Sequence, residues 1–281
     1  IANGWIRQFV RLPYNDDSFR EFCKHLYYYQ MDFTQEAAYA DLHAFYSAHN
    51  MHEHIFYFAV APRFFELIAK GLTHVPDARQ GRVVIEKPFG KDLASARELN
   101  AQLEAFFAPD QIYHIDHYLG KEMVRNIQTI RFMNPIFANI WNHDYIENIQ
   151  ISAMEEVGVE TRGSYYDQSG ALKDMVQNHL FQILSIVAME PMRDNSREEM
   201  HRCQLDALKH LRKASALKLE DTLILAQYDG YLKEKDVAAD SKTETYAALR
   251  LFIDNERWQG TPFYIRTGKK LDRREMEIII T

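Results

Sequence analysis

The residues that can do chemistry gather in two places. The first is Gln111-Ile-Tyr-His-Ile-Asp-His-Tyr-Leu-Gly-Lys-Glu122, where apolar–polar alternation over residues 112–115 gives way to Asp116, His117, Tyr118 and Lys121. Such alternation reads as a short strand. If a helix begins there, Asp116 is a suitable cap, and His117 and Lys121 fall four apart on one face. Three side-chain donors beside the unpaired N–H groups of a first helical turn make a cradle for a phosphate. Two other readings stand beside it. Side chains of these types also cluster at strand ends to satisfy turns. His114, Asp116 and His117 are three potential metal ligands within four residues, although in a strand the first two share a side and His117 lies past the bend.

The second place is a polar notch, Asp174 with Gln177, Asn178 and His179, inside the apolar stretch 172–189. Leu172, Met175, Val176, Ile183 and Val187 surround His179 at helical spacing, so the imidazole points inward. The bland alternative is a core histidine satisfied by one hydrogen bond. A buried helix carrying this many polar groups, however, calls for a polar partner opposite. Asp174 and His179 are five apart, about 140° around an ideal α-helix, and so are not expected to pair with each other. Asp116 is the available carboxylate for orienting His179, a candidate general base. Two lesser candidates follow. In Glu86-Lys87-Pro88 the proline forces Lys87 into an extended backbone that aims it past a strand end, where it can hold a phosphate or a hydroxyl. Lys269, Lys270, Arg273 and Arg274 form a basic turn after Ile265-Arg-Thr-Gly268. A solvated surface is the ordinary reading of both.

These residues need elements to hold them. Residues 37–46 have a helical pattern. Residues 55–60 are a continuous apolar run of strand length, of the kind covered on both faces in a parallel sheet. Pro62 then opens a helix that Gly71 closes. Residues 82–87 repeat the strand, halted by Pro88 and Gly90, and Asp92 caps a helix with Leu93, Ala96, Leu99, Leu103 and Phe106 on one face. With the strand at 111–115 this is a parallel αβ layer, in which ligands bind beyond the carboxyl ends of the strands. After Glu122 the texture changes. Residues 149–154 read as a strand, 162–170 as a polar loop, 172–189 as a long buried helix and 191–213 as charged and helical. Strands at 224–228, 246–253, 262–266 and 276–280, with turns at Asp229-Gly and Trp258-Gln-Gly, give a mostly antiparallel sheet. The fold class is α/β plus α+β: a partial Rossmann-like dinucleotide-binding domain over 1–116 and a sheet domain over 117–281.

Composition bounds the function classes. The chain has 281 residues, 47% hydrophobic and 26% charged, with net charge −7. That balance excludes a broad electrostatic grip on nucleic acid, so any anion is held by a local basic cluster. Cys23 and Cys203 stand far apart, which suits a reducing compartment. No apolar run has membrane-spanning length, and no membrane partner is expected. The cytoplasm is the expected location. The opening residues give no full first strand and the last, Ile278-Ile-Ile-Thr281, fall inside one, so a piece of a longer protein is expected.

With those residues identified, the chain resembles the glucose-6-phosphate dehydrogenases. Ile85-Glu-Lys-Pro-Phe-Gly90, Ile115-Asp-His-Tyr-Leu-Gly-Lys-Glu122, Arg131-Phe, Asp174-Met-Val-Gln-Asn-His179, Val187-Ala-Met and Pro262-Phe-Tyr-Ile-Arg-Thr-Gly-Lys269 carry the likeness, in order, from about Ile55 onward. The resemblance implies oxidation of glucose 6-phosphate with NADP, the first step of the oxidative pentose phosphate pathway, by a homodimer or homotetramer. It implies His179 as general base paired with Asp116, and His117, Tyr118 and Lys121 on the phosphate. Glu155 and Asp174 would bind the sugar, Lys269 and Arg274 would complete the pocket, and Lys87 would touch sugar and coenzyme. The family's Gly-rich dinucleotide turn has no counterpart here. A sugar oxidoreductase of the glucose-fructose oxidoreductase type and a catalytically silent sugar-phosphate sensor remain as alternatives.

Overall fold

The structure is a computed structural model and describes residues 2–9, 14–87, 89–90, 92–213 and 218–281. The chain divides into two compact units, Ile1–Ile115 and Asp116–Thr281. The division falls one residue before the expected one and puts Asp116 in the same unit as His179.

The first unit holds α1 (Ala2–Phe9), α2 (Asp16–Cys23), α3 (Ala37–Ala48), α4 (Phe65–Leu72) and α5 (Leu93–Glu104), with strands β1 (Ile55–Phe58), β2 (Arg82–Ile85) and β3 (Ile112–His114). The strands are parallel in the order β1-β2-β3. Register explains the core: Phe56 pairs with Val83, Val83 with Ile112 and Phe58 with Ile85, so one face of the sheet collects the apolar side chains. Tyr39 and Leu42 of α3, Phe65 and Ala69 of α4 and Leu99 and Leu103 of α5 close over that face. The expectation that β1 is covered on both faces fails here, because Ile55 and Tyr57 alternate outward and are more than half exposed. Asp92 caps α5 as expected, its carboxylate accepting the Ser95 N–H at 2.8 Å while Ser95 Oγ takes the Asp92 N–H. Leu93 of that helix is nevertheless exposed. Gly71 does not close α4. It lies within the last turn, and a side chain there would collide with the Tyr39 ring. The expected halt of β2 at Pro88 lies outside the described residues.

The second unit contains α6 (Glu122–Met133), α7 (Pro135–Ala138), β4 (Ile149–Met154), α8 (Gly163–Ala171), a π-helix (Leu172–Leu180), α9 (Phe181–Ala188), α10 (Arg197–Lys209), and β5 (Leu223–Ala226), β6 (Tyr246–Phe252), β7 (Pro262–Gly268) and β8 (Glu275–Ile280). The sheet order is β5-β6-β7-β4-β8, with β4 parallel to β7 and every other pairing antiparallel. Ile149, Ile151 and Ala153 of β4 and Phe263 and Ile265 of β7 share a core with Val176, Leu180, Ile183, Leu184 and Val187 of the central helix.

That helix ends inside the protein, where water cannot satisfy its last carbonyls. Three long side chains do so instead. Arg131 donates to the carbonyls of Ile186 and Met189, Trp141 Nε1 donates to Val187 O at 2.9 Å, and Trp258 Nε1 donates to Ala188 O at 2.8 Å. Burial pushes the Arg131 guanidinium down to about 9, still charged at neutral pH. Two expectations are corrected. Residues 163–171 are helical, not a loop, because Tyr166 is buried against Val159 and Tyr231, and Asp167 accepts from Tyr231 Oη and Ser241 Oγ. Tertiary contacts there override weak local propensity. The long helix is π-wound over its first nine residues, and Lys173 and Gln177 are exposed on it.

Candidate active site

The turn following β3 places the first group of side chains. No helix starts at His117; α6 begins at Glu122 with Lys121 as its cap. Between them the backbone makes successive turns, Leu119 N–H to Asp116 O and Lys121 N–H to Tyr118 O. Asp116 Oδ1 accepts the Tyr118 N–H at 2.9 Å, so the aspartate closes a turn of its own rather than capping a helix. His117 and Lys121 are therefore not on one helical face.

The turn and the π-helix meet at a buried pair. His179 Nδ1 lies 2.7 Å from Asp116 Oδ1, with both side chains at most a tenth exposed. A carboxylate only accepts, so the shared proton belongs to Nδ1, and Nε2 is the ring nitrogen that faces away from Asp116. The imidazole stacks on Tyr118 with centroids 4.0 Å apart, and His117 packs edge-on against it at 4.9 Å. Winding explains how Asp174 can serve the same site. Five-residue hydrogen bonds, such as Phe181 N–H to Val176 O, bring residues five apart toward one face. The 140° separation of an α-helix does not apply. Asp174 Oδ1 accepts from Tyr165 Oη at 3.2 Å.

Beside this pair lies a cleft of about 210 Å³ lined by Tyr118, Lys121, Glu155, Arg274 and Met276. The Lys121 ammonium sits 3.8 Å over the Tyr118 ring and 3.7 Å from Met276 Sδ, soft partners that an anion outcompetes. Burial and the repulsion of Arg274 lower the Lys121 pKa, with Glu155 opposing. Two cations held close enough to repel each other form a site that gains from a dianion. Burial, and then the carboxylates of Glu155, Asp174 and Asp116, push the Tyr118 phenol up to about 12, so it remains a donor. Its hydroxyl now points at Met175 Sδ, 3.9 Å away.

Parallel pairing sets the third group. β4 and β7 run in register to Met154 and Gly268, so the next residue of each, Glu155 and Lys269, emerges side by side. Lys269 Nζ lies 2.5 Å from Glu155 Oε2 and 5.1 Å from the Tyr166 ring centre. Asp116, His117, Tyr118, Lys121, Glu155, Asp174, His179, Lys269 and Arg274 thus all belong to the second unit. Lys87 follows β2 in the first. Tyr165, Tyr166 and Met276 escape the sequence reading, and Met175 enters it only as an apolar neighbour of His179. The paired tyrosines between Gly163 and Gly170 were a usable signal, whereas nothing local marks Met276. Among the described residues, no group of three or more His, Cys, Asp or Glu side chains is placed to hold a metal ion. No helix among them is long and apolar enough to cross a membrane.

Residues 5–126 match the family model of the glucose-6-phosphate dehydrogenase NAD binding domain, and residues 128–281 match that of its C-terminal domain. Glucose-6-phosphate 1-dehydrogenase of Bacillus subtilis is 42% identical over 302 residues, covering 99% of this chain and 61% of the relative. The Treponema pallidum enzyme is 41% identical over 299 residues, covering 100% of this chain and 58% of its own. A crystal structure of the Mycobacterium avium enzyme superposes with TM-score 0.85 at 38% identity, covering 95% of this chain and 58% of that one. A glucose-6-phosphate dehydrogenase in complex with glucose 6-phosphate gives TM-score 0.89 at 34% identity, covering 98% and 60%. The chain spans about three-fifths of the length of these relatives.

Proposed function

The chain belongs to the glucose-6-phosphate dehydrogenase family, and from that premise we propose that it is part of an enzyme oxidising glucose 6-phosphate to 6-phosphogluconolactone with NADP, the first step of the oxidative pentose phosphate pathway. His179 Nε2 takes the proton from the anomeric hydroxyl as hydride leaves the same carbon. Asp116 holds the imidazole through Nδ1 and stabilises the imidazolium that forms. Lys121, His117, Tyr118 and Arg274 hold the phosphate, and Glu155, Asp174 and Lys269 orient the sugar hydroxyls. Anchoring by the remote phosphate supplies binding energy that fixes the reacting carbon in place.

The three parallel strands are a sheet of the kind that carries a dinucleotide, while the Gly-rich turn that would cradle its phosphates has no counterpart among these residues. The carboxyl end of such a sheet is where a dinucleotide binds. Lys87 follows β2 there, half-buried, next to Glu86, which Tyr57 Oη engages. Lys87 would contact the coenzyme. NADP supplies the hydride acceptor. We place the working protein in the cytoplasm as a homodimer or homotetramer, in keeping with the family resemblance.

The observation that carries this reading is the 2.7 Å contact between His179 and Asp116 within the unit that also holds the Lys121–Arg274 cleft. The test follows NADPH absorbance with the full-length protein on glucose 6-phosphate and on glucose. Turnover is expected to fall by orders of magnitude without the phosphate. Equal rates would assign the protein to the glucose-fructose oxidoreductase type, and binding without turnover would make it a sensor.

A further inference from the structure

One residue before the end of α8 the chain passes through Gly170 at φ 65° and ψ 179°, a break in the helix just ahead of the π-wound segment. A side chain at this position would run into the carboxylate of Glu244, which approaches from the segment before β6. Glu244 Oε1 accepts the N–H of Leu172, the first residue of the π-helix, at 2.9 Å, and the Glu244 carbonyl accepts the Ala171 N–H at 3.0 Å. The next residue, Thr245, is fully buried. Its carbonyl accepts the Lys269 N–H at 2.9 Å, and its hydroxyl accepts the Tyr228 N–H at 2.8 Å. Thr243 Oγ1 donates to Asp167 O at 2.7 Å and ties the same segment to α8. Two consecutive residues thus hold the start of the helix bearing Asp174 and His179 and the backbone of Lys269.

We infer that Glu244 is a positioning residue for sugar recognition, selecting the π-wound register that puts Asp174 and His179 on one face while its neighbour Thr245 fixes Lys269. Glu244 itself touches no substrate. The inference rests on reading Asp174 and Lys269 as sugar contacts. The physics is that of a helix start. The first N–H groups have no acceptor within the helix, and a carboxylate at that end offers one together with favourable charge. A π-helix is a rarely sustained winding. Without the acceptor at Leu172 the segment can tighten toward α geometry, which turns residues five apart to opposite sides by about 140°.

The test is steady-state kinetics on the full-length protein. Glu244→Ala is expected to raise KM for glucose 6-phosphate about tenfold and lower kcat several-fold, as the loss of one charged hydrogen bond predicts. Glu244→Gln keeps an acceptor oxygen and is expected to return both constants to within threefold of wild type. In an Asp174→Asn background, Glu244→Ala is expected to add less than twofold to KM, because its route to sugar binding is already cut, while the several-fold loss of kcat through His179 persists. Wild-type KM in Glu244→Ala with only a lowered Tm, or a full tenfold rise in KM on top of Asp174→Asn, would overturn the inference. Should Glu244→Ala fail to fold, Glu244→Asp, one methylene shorter, carries the test: a raised KM supports the assignment and an unchanged one refutes it. A wild-type protein that does not oxidise glucose 6-phosphate would instead refute the enzymatic reading beneath it.

Discussion

Two segments build the proposed base site, and they are held in opposite ways. The backbone of the turn from Asp116 to Lys121 is shaped locally, by hydrogen bonds between residues two and three apart, while its side chains reach His179, Met175 and Met276. The helical run from Gly163 to Leu180 is held from a distance. Asp167 is tied to Ser241 and Tyr231, the π-helix start to Glu244, and the end of the following helix to Arg131, Trp141 and Trp258. The turn owes its shape to its own residue types, so changes within it act on the groups they touch. The helical run owes its shape to the rest of the unit, so changes far away in sequence reach His179.

The largest effect tests the helical side at its one reacting group. His179→Asn removes the lone pair at Nε2 and leaves the surrounding packing nearly intact. The expected loss is about 10²- to 10⁴-fold in kcat, the usual contribution of a general base, with KM within a few-fold of wild type. Single-turnover NADPH formation with saturating sugar phosphate checks it. Near-normal turnover would remove His179 from the role and leave Asp116 and the aromatic stack as structure only.

The turn side is expected to respond in the other constant. Lys121→Ala deletes a cation that the structure holds with soft partners beside Arg274. A charged hydrogen bond to phosphate is worth about 1.5–3 kcal/mol, so KM for glucose 6-phosphate should rise about 10- to 100-fold while kcat changes little. Activity toward unphosphorylated glucose should be untouched by the same substitution. If kcat fell as far as in His179→Asn, the turn and the helix would be acting as one unit and the contrast between them would collapse.

What could be read from the sequence follows the same division. The turn's chemistry was visible because Asp116, His117, Tyr118 and Lys121 are adjacent, although the helix expected at His117 gives way to turns before α6. Strands β4, β6, β7 and β8 were visible through alternation, since one face of each packs on the central helix. The π-winding left no trace, because hydrophobic periodicity over nine residues does not separate 3.6 residues per turn from a wider helix. Helix α8 was missed for a related reason. Its Gly, Ser, Asp and Gln content reads as a loop, and the buried contacts of Tyr166 with Val159 and Tyr231 come from segments remote in sequence. The exposed outer face of β1 was hidden because Ile55 and Tyr57 are apolar, and an apolar run does not say which of its residues are covered.

The smallest expected effect sharpens the contrast most, because it changes no charged or reacting group. Gly170→Ala adds one methyl at a left-handed φ of 65°, pointing into the Glu244 carboxylate. Backbone strain of this kind costs about 1–3 kcal/mol. At roughly 2–4 °C of Tm for each kcal/mol in a unit of this size, calorimetry should find a clear downward shift. Strain alone would leave the Michaelis constants where they are. Displacing Glu244 from the Leu172 N–H should in addition raise KM a few-fold through Asp174, although the substitution lies four residues before the nearest proposed sugar contact. The control is the other unit, where Asp92→Ala removes the cap of α5 at about 1 kcal/mol and is expected to lower Tm without moving KM for the sugar. A Gly170→Ala protein that behaves like Asp92→Ala would mean the helical run tolerates disturbance at its start, and that His179 is held by its aromatic neighbours and Asp116 rather than from a distance.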